Sequence, residues 1–389
     1  MTESSRLKYY TLAGFFVIGV VTVLLGQVLP ILSRRLDLND AEAGTLFIAQ
    51  FSGSLLGTLF SSRIARSSGF VMTTLIGLVM MVVGLPGLNF SHFVLCWSSV
   101  FVYGIGLGLT IPAVNLLTIE STPPDKQSSA INLINFAWGV GAICSQPFAQ
   151  LVSRGESLVA VSLILDIILV VLVICFVSLH RIYSASRVEH EPSDSSPQIW
   201  RRPSSWLFIL FGFFVIGIET GLGGWLTSYS EALKRMGHDG INTAVVFFTF
   251  MVIGRGLASV ISRRLSENVL ISICAIVLLT GIVLIVSSES AAIVGAAIAG
   301  LGTSAIFPTN MVRFTRIFGP DAISQATPLF ISGIIGAASL SWLIGLISTE
   351  FGSLRIGIVV VLVAAIFVLA LQAAIVMRFR KGVDDEASS

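Results

Sequence analysis

Four residues in the first half of the chain have types and spacing that suit the binding of a hydroxylated ring. Asn132, Asn135, Trp138 and Gly139 are separated by three, three and one positions, so a helix would carry all four on one face. An amide both donates and accepts hydrogen bonds, and an indole offers a flat apolar surface with one N–H group. We therefore predict that this face contacts a small polar molecule such as a pyranose, which has apolar C–H faces and a rim of hydroxyls. The alternative is that these residues join neighbouring helices inside a bundle.

Glu219 is the acidic residue best placed for chemistry, because it lies in an apolar stretch that also contains Gly217, Gly221, Gly223 and Gly224. If its helix begins near residue 205, a rise of about 1.5 Å per residue places Glu219 about 22 Å along the helix, close to the centre of a bilayer or somewhat beyond it. Ionisable groups at that depth are costly and generally functional. We predict that Glu219 binds substrate hydroxyls, carries a coupling proton or Na⁺, or does both. A structural pairing with a neighbouring polar group is the alternative.

The elements that must position these residues are membrane-spanning helices. Of the 389 residues, 54% are hydrophobic and only 11% are charged, and the mean hydropathy is +0.93. A soluble domain carries about 25% charged residues, so a soluble chain this apolar could not cover its surface. A spanning helix needs about 20 apolar residues. We predict an all-α membrane protein with twelve spans, at residues 8–33, 42–66, 70–90, 93–119, 127–153, 158–183, 205–234, 240–264, 267–288, 290–317, 322–350 and 353–380.

Basic residues predict the orientation of these spans. If both termini are cytoplasmic, most of the 23 lysines and arginines, including Arg255 and Arg313, fall on the cytoplasmic side. The outside keeps Arg34, Arg35, Arg154, Lys234, Arg235 and Arg355. This positive-inside distribution predicts a multi-pass protein of a cell membrane, of the bacterial inner-membrane or plasma-membrane type, with both termini in the cytoplasm. Charges at the cytoplasmic ends of the helices are predicted to pair as a gate, namely Arg63, Glu120, Asp125, Arg264 and Asp321.

The chain contains an internal repeat. Residues 14–19 read Gly-Phe-Phe-Val-Ile-Gly, and the same six residues return at 212–217. Further matches keep their order along both halves: Thr22 and Thr220, Gly53 and Gly254, Arg63 and Arg264, Gly104 and Gly300, Gly106 and Gly302, Pro112 and Pro308. An even number of spans in each copy gives both copies the same orientation. We therefore predict two pseudo-symmetric six-helix bundles, at 1–183 and 205–389, joined by a polar cytoplasmic linker at 184–204.

The repeat also informs the choice of site residues. Glu219 matches the apolar Val21, so the fold does not require an acid at this position, which favours a functional role. Gln27 and Trp225 occupy equivalent positions towards the outer ends of their helices. We predict that these two side chains close over a substrate.

Two further polar residues are weaker candidates for contact with a substrate. Gln50 lies in the second predicted span and Asn310 in the tenth. Asn310 follows Pro308 near the cytoplasmic end of its helix, where a role in a hinge or gate competes with substrate binding.

The region between the second and third spans resembles a motif of the major facilitator superfamily, Gly-x-Leu-x-Asp-Arg-x-Gly-Arg. Residues 57–60 read Gly-Thr-Leu-Phe, Ser61 and Ser62 replace the Asp and Arg, and Arg63 and Arg66 remain. Together with the number of helices and the repeat, the motif makes the whole chain resemble this superfamily. The resemblance implies the major facilitator fold, transport by alternating access, and a substrate site near the middle of the membrane.

Two short stretches resemble one branch of that superfamily. Residues 132–142 read Asn-x-x-Asn-Phe-Ala-Trp-Gly-Val-Gly-Ala, which resembles the fucose:proton symporters and the related sodium-dependent glucose transporters. Glu219, followed by Gly-Gly-Trp at 223–225 and by Tyr229, resembles the second group. The resemblance implies a secondary transporter that imports a hexose-like sugar together with H⁺ or Na⁺.

Other functions remain as alternatives. Proton-driven exporters of drugs or metabolites in this superfamily usually carry a Gly-Pro-rich motif late in the fifth span, where this chain has Gln146 before Pro147. A membrane scaffold or receptor that transports nothing is a third class. The four cysteines lack metal-ligand spacing, and there is no phosphate loop or nucleophile–base–acid set, so we predict no cofactor, metal or enzymatic activity. The net charge of +2 gives no indication of nucleic-acid binding.

Overall fold

A computed structural model describes residues 3–123, 126–153, 155–183, 199–238, 240, 242–262, 264–319, 322 and 325–386, except for the side chains of 3–5, 128, 180–183 and 380–386. The secondary structure of this part of the chain consists of α-helices and short 3₁₀ turns. The first half contains α1 (Glu3–Leu36), α2 (Asp40–Gly84), a 3₁₀ turn (Leu85–Asn89), α3 (Phe93–Glu120), α4 (Gln127–Val152) and α5 (Val159–Tyr183). The second half contains two 3₁₀ turns (Ile199–Arg201 and Pro203–Ser205), α6 (Trp206–Arg235), α7 (Thr243–Ile261), α8 (Glu267–Ser287), α9 (Ala292–Thr303), α10 (Ile306–Phe318), α11 (Thr327–Phe351) and α12 (Leu354–Glu386).

Within the described residues, 10 helical segments are long and apolar enough to cross a membrane. The predicted spans 42–66 and 70–90 form the single helix α2, which is interrupted only at Gly69, where φ is 83° and the backbone is not helical. The predicted span 290–317 is formed by α9 and α10 together. The helix α4 is absent from the ten because its sequence is more polar. The chain is therefore an all-helical multi-pass membrane protein, and the count of twelve spans stays a prediction.

The outer surface of α5 shows why a membrane is required. Leu163, Ile167, Val171 and Ile174 are each more than half exposed. These side chains recur every three or four residues, so they form one continuous apolar stripe along the helix. Such a stripe would be a liability in water but matches the hydrocarbon of a bilayer.

Two compact units, Met1–Pro192 and Ser193–Ser389, divide the chain. Within the first unit, α1 packs on α4 and α2 packs on α3. Within the second unit, α6 packs on α11, and both α7 and α8 pack on α9. Since α6 repeats the sequence of α1, each unit uses the same helix pairing around its repeated segment.

Glycines make these pairings close. A Cβ atom at Gly19 of α1 would collide with the backbone carbonyl of Trp138 in α4. In the second unit, a Cβ atom at the equivalent Gly217 would lie 2.6 Å from the side-chain Cδ1 of Leu340 in α11. Lipid offers no hydrophobic drive for helix association, so small residues that allow backbones to approach hold membrane bundles together.

Local signals explain several helix ends. Asn39 begins α2 with a capping box, in which its side chain accepts a hydrogen bond from the backbone N–H of Glu42 at 2.9 Å and the Glu42 carboxylate accepts one from the Asn39 backbone N–H at 3.0 Å. Gly352 ends α11 in the left-handed region, with φ of 63°, which favours glycine.

The described end of the predicted linker packs on the second unit. The ring of Trp200 stacks on Phe314 with centroids 5.6 Å apart, and its indole donates to the carbonyl of Gln325 at 2.8 Å. Ile199 is buried beside it. The segment 199–205 therefore packs on the second unit through Ile199, Trp200 and Ser205, while Arg201, Arg202 and Pro203 are exposed. Residues 184–198 lie outside the described part of the chain.

The two equivalent glycines predict different costs of substitution. We expect Gly19→Ala to lower the free energy of unfolding by about 1–3 kcal/mol or more, because its new methyl group meets backbone that cannot move aside. We expect Gly217→Ala to be destabilising too but to cost less than Gly19→Ala, because its nearest contact, the end of the Leu340 side chain, can rotate away, and only the Gly336 carbonyl oxygen, 2.8 Å from the new methyl group, must shift with its backbone. Thermal unfolding of the purified variants in detergent measures both. Gly256→Ala is the control, since nothing lies within 4 Å of its Cβ position, and equal losses in all three variants would contradict the argument.

Candidate functional site

In the first unit, a chain of polar contacts joins four helices. The indole of Trp138 in α4 donates to the hydroxyl of Thr22 in α1 at 3.4 Å. The amide of Gln50 in α2 donates to the Thr22 carbonyl at 2.8 Å, and the hydroxyl of Tyr103 in α3 donates to Gln50 Oε1 at 3.1 Å. Gln50 and Tyr103 are buried, whereas Trp138 remains partly exposed. Gln50 thus joins helices, and Trp138 is held in a fixed orientation by Thr22.

The predicted face of α4 is helical throughout. Asn132 is exposed, Asn135 and Trp138 are half-buried, and Gly139 is buried. The Asn135 side-chain N–H donates to the Ile131 carbonyl of its own helix at 2.8 Å, which directs no bond towards another helix. The oxygen of this amide and the ring of Trp138 are the groups on α4 best suited to meet a ligand.

In the second unit, Glu219 of α6 forms an ion pair with Arg255 of α7. Arg255 Nη2 lies 3.3 Å from Glu219 Oε1, and the two side chains are 32% and 19% exposed. The same guanidinium contacts the sulfur of Met251, one helical turn earlier, at 3.9 Å. Since both helices are membrane spans, the pair presents a mutually neutralised carboxylate and cation within apolar surroundings.

Arg255 is the functional candidate that the sequence analysis missed. The sequence analysis counted its charge among those on the cytoplasmic side and gave it no role, and the structure pairs it with Glu219 between α6 and α7. The repeat contained a signal, because the offset that relates Gly53 to Gly254 also relates Ser54 to Arg255. Glu219 replaces Val21 in the same way, so both members of the ion pair are polar gains of the second unit.

The residues predicted to close over a substrate lie inside their own units. The indole of Trp225 is fully buried and donates to the Ser341 carbonyl of α11 at 2.7 Å. Gln27 is buried in α1, and its side-chain N–H lies 3.3 Å from the Val23 carbonyl. The Trp225 contact joins α6 to α11, whereas the Gln27 contact lies within α1, and contact with a substrate stays a prediction for both residues.

Asn310 is part of a buried cluster around Arg313. Arg313 is 0% exposed, and its guanidinium donates to Asn310 Oδ1 and to Gln372 Oε1, each at 2.6 Å. It also lies over the rings of Phe208 and Phe211, 5.3 Å from each centroid. Amide oxygens and ring faces thus accommodate a cation that the sequence analysis had assigned to the cytoplasmic surface. The Asn310 side chain accepts a hydrogen bond from Arg313 in this cluster. Its contact with a substrate stays a prediction.

The predicted gate is only partly within the described residues. Arg63, Glu120 and Arg264 are exposed, and the described part of the chain contains no ion pair between them. Their predicted partners Asp125 and Asp321 lie outside the described residues. The gate remains a prediction.

Comparison with known proteins identifies the family. The profile of the Major Facilitator Superfamily matches residues 11–332. The chain belongs to the Major Facilitator Superfamily. Members of this superfamily are membrane-embedded, bind small-molecule substrates and are generally not enzymes.

Two curated relatives resemble parts of this superfamily member. A protein of Acinetobacter baylyi described as a cis,cis-muconate transport protein is 23% identical over 278 residues, covering 67% of this chain and 66% of its own length. A protein of Saccharomyces cerevisiae described as bypass of stop codon protein 6 is 21% identical over 283 residues, covering 65% of this chain and 56% of its own length. The matches thus span less than two thirds of either relative.

Solved structures of other transporters share the fold. The nucleoside transporter NupG superimposes with a TM-score of 0.76 at 12% identity, covering 97% of this chain and 99% of its own. A bacterial homologue of the human lysosomal transporter Spinster gives 0.72 at 17% identity, covering 97% of both chains. A variant of the E. coli fucose:proton symporter gives 0.65 at 15% identity, covering 96% and 99%. Identities this low show the fold alone.

The ion pair between α6 and α7 predicts a measurable coupling. Arg255→Gln leaves the Glu219 carboxylate without its cation, whereas the double variant with Glu219→Gln carries neither charge. We expect the two substitutions to couple by about 0.5–3 kcal/mol, with the double variant more stable than Arg255→Gln alone. The coupling is measured by a double-mutant cycle, in which the thermal unfolding of the wild type, the two single variants and the double variant is compared in one detergent.

The ion pair of Glu267 and Arg316, at 2.9 Å, is the matched control. Arg316 is more than half exposed, so its coupling with Glu267 should be about 0–1 kcal/mol. Strictly additive effects at Glu219 and Arg255 would contradict the pairing.

Proposed function

We propose that this superfamily member is a secondary active transporter of a small polar solute, specifically a hexose-like sugar. It moves the solute by alternating access, coupled to the movement of H⁺ or Na⁺. The observation that carries the proposal is the ion pair of Glu219 and Arg255, within membrane spans, at positions where the repeat has Val21 and Ser54. A pair that the fold does not require, and that is costly in a bilayer, is best explained by transport. We place the protein in a cell membrane with both termini in the cytoplasm.

The pair supplies a route to coupling. A proton on Glu219 removes the charge that holds Arg255, so protonation and release of the guanidinium occur together. A Na⁺ ion beside the carboxylate would have the same effect by replacing Arg255 as the counter-ion. In either case the state of Glu219 decides which hydrogen-bonding groups are offered to the solute. This makes Glu219 a coupling residue and a substrate-binding residue at once.

The first unit supplies the contacts that suit a sugar ring. The Thr22 hydroxyl accepts a hydrogen bond from the Trp138 indole, which helps to orient this half-buried ring for contact with a solute. Asn135, one helical turn earlier on the same face of α4, offers an amide oxygen to hydroxyls. Apolar ring faces bind the C–H side of a pyranose, and the amides of Asn132 and Asn135 bind its rim.

A second substrate class, an organic carboxylate, is favoured by one observation. Arg255 presents a planar guanidinium, which matches carboxylate geometry and is the preferred partner for it inside proteins. A substrate carboxylate that displaces Glu219 from Arg255 would preserve charge balance. One of the curated relatives is described as a transporter of cis,cis-muconate, a dicarboxylate. Net export of such a metabolite is the corresponding alternative to sugar import.

Thermal stabilisation of the purified protein separates these substrates. We expect D-glucose or L-fucose to raise the unfolding temperature, because a bound ligand stabilises the folded state, whereas cis,cis-muconate should have no effect. In Trp138→Ala and in Asn135→Ala, the sugar concentration needed for the same rise in unfolding temperature should be at least tenfold higher. Phe136→Ala, whose side chain is exposed on another face of α4, is the control. Stabilisation by muconate alone would indicate that the substrate is an organic carboxylate and not a sugar. A response to none of these solutes would contradict the proposal.

The role of Glu219 is tested by a substitution that keeps its shape and removes its charge. We expect Glu219→Gln to abolish concentrative uptake into proteoliposomes while solute counterflow continues, because exchange needs no net movement of the coupling ion. Loss of sugar binding itself would assign Glu219 to substrate recognition instead. Wild-type uptake, binding and pH dependence in Glu219→Gln would contradict both roles.

A further inference from the structure

One membrane span of the second unit is broken where its counterpart is continuous. The helix α9 ends at Thr303 and α10 begins at Ile306, although together they form a single span from Ala292 to Phe318. Its repeat in the first unit, α3, runs unbroken from Phe93 to Glu120. Since the two sequences are related, the break requires a local cause.

Both spans carry a proline at the equivalent position, so proline alone does not explain the break. Pro112 and Pro308 have no N–H, which deprives the carbonyl four residues earlier, that of Gly108 or Ser304, of its helical partner. In the first unit, the hydroxyl of Thr58 in α2 donates to the Gly108 carbonyl at 3.3 Å and compensates for this loss. In the second unit, the equivalent Ser259 donates to Gly256 of its own helix at 2.7 Å. The Ser304 carbonyl thus lacks the donor that serves its counterpart.

Packing gives the second cause. A Cβ atom at Gly108 would collide with the backbone of Ser54, so a glycine lets α2 and α3 touch. The second unit has Ser304 at this position, and its side chain is accommodated only because α7 has Gly254 opposite, where an added Cβ atom would meet the Ser304 hydroxyl. The helix of this span is interrupted at the position where Ser304 replaces the equivalent Gly108.

Thr303, the last residue of α9, carries a polar group that the surrounding bundle does not use. Its side chain is 1% exposed, and within the described residues its hydroxyl has no hydrogen-bond partner. The equivalent residue of the first unit is Leu107, which is buried and apolar. A buried hydroxyl without a partner is destabilising, so a leucine-like residue would serve packing better at this position. Thr303 therefore places an unused hydrogen-bonding group at the break.

The break adjoins the ion pair through consecutive residues of α7. Gly254 packs on Ser304, and Arg255 pairs with Glu219. Ser304 and the ion pair therefore contact consecutive residues of α7. The positive charge of Arg255 disfavours a metal cation beside it. A hydroxyl fits better, because it can accept a hydrogen bond from Thr303 and donate one to the Ser304 carbonyl.

We propose that the break between α9 and α10 is a subsite for a hydroxyl group of the transported solute, bound by the Thr303 hydroxyl and the Ser304 carbonyl next to the ion pair of Glu219 and Arg255. This subsite rests on the proposed function, since it names a further contact of the same solute. It also favours a sugar over a carboxylate, because an ionised carboxylate has no proton to donate to the Ser304 carbonyl.

Cysteine labelling tests the subsite without knowledge of the solute. In a variant free of native cysteines, and in membranes, Thr303→Cys should react with a small water-soluble methanethiosulfonate at least tenfold faster than Ala299→Cys. Ala299 lies one turn earlier on α9, is fully buried and packs on Gly281, so it reports the reactivity of a residue inside the bundle. Equal rates would show that no solute reaches the break and would overturn the subsite, whichever solute is transported.

Substitution by valine and serine tests the hydroxyl itself. Thr303→Val keeps the shape and should leave the unfolding temperature of the ligand-free protein unchanged or higher, while the concentration of D-glucose or L-fucose needed for stabilisation rises at least tenfold. Thr303→Ser should restore the wild-type response. An unchanged sugar response in Thr303→Val would overturn the subsite and leave the proposed function intact. If neither sugar stabilises the wild type, the proposed function fails, and the labelling rates alone decide whether the break admits solute.

Discussion

The cost of charge in hydrocarbon is the constraint on which the functional part of this protein depends. Lipid cannot solvate ions, so an ionised carboxylate on α6 is stabilised by a cation beside it, and Arg255 on α7 provides that cation at 3.3 Å. The requirement specifies how the two helices face each other. It also means that any event that changes the charge of Glu219 acts directly on Arg255. The stability of this helix pair and the proposed coupling therefore depend on the same contact.

The internal repeat separates what the fold requires from what it does not. Glycines such as Gly19 and Gly217 occur in both units because helices must approach closely in each, and they tell little about function. Positions where the second unit gains polarity are different. Arg255 in place of Ser54 adds a charge within a membrane span, and Thr303 in place of Leu107 adds a buried hydroxyl that has no partner among the described residues. In a duplicated fold, a departure that costs stability is stronger evidence of function than a shared residue.

The sequence alone predicts the helical membrane architecture and the repeat, because hydropathy and periodicity depend on residues close in the chain. It does not predict partners across helices, which depend on how each helix is rotated. The contact of Arg255 with Glu219 and that of Asn310 with Arg313 therefore became visible only in the structure. The break after Thr303 was missed for the same reason. Both spans carry a proline at the equivalent position, Pro112 and Pro308, and only the contacts around the two prolines differ.

The two units satisfy their polar groups in different ways, and the difference implies a division of labour. In the first unit, Trp138, Thr22, Gln50 and Tyr103 form an uncharged network in which each link is a hydrogen bond between neutral groups, so no proton or ion changes it. In the second unit, the corresponding level carries a charged pair, whose strength depends on the state of one carboxylate. A neutral network keeps an aromatic surface in place, whereas a charged pair responds to ions. We therefore expect the first unit to provide shape for the solute and the second unit to provide the response to the coupling ion.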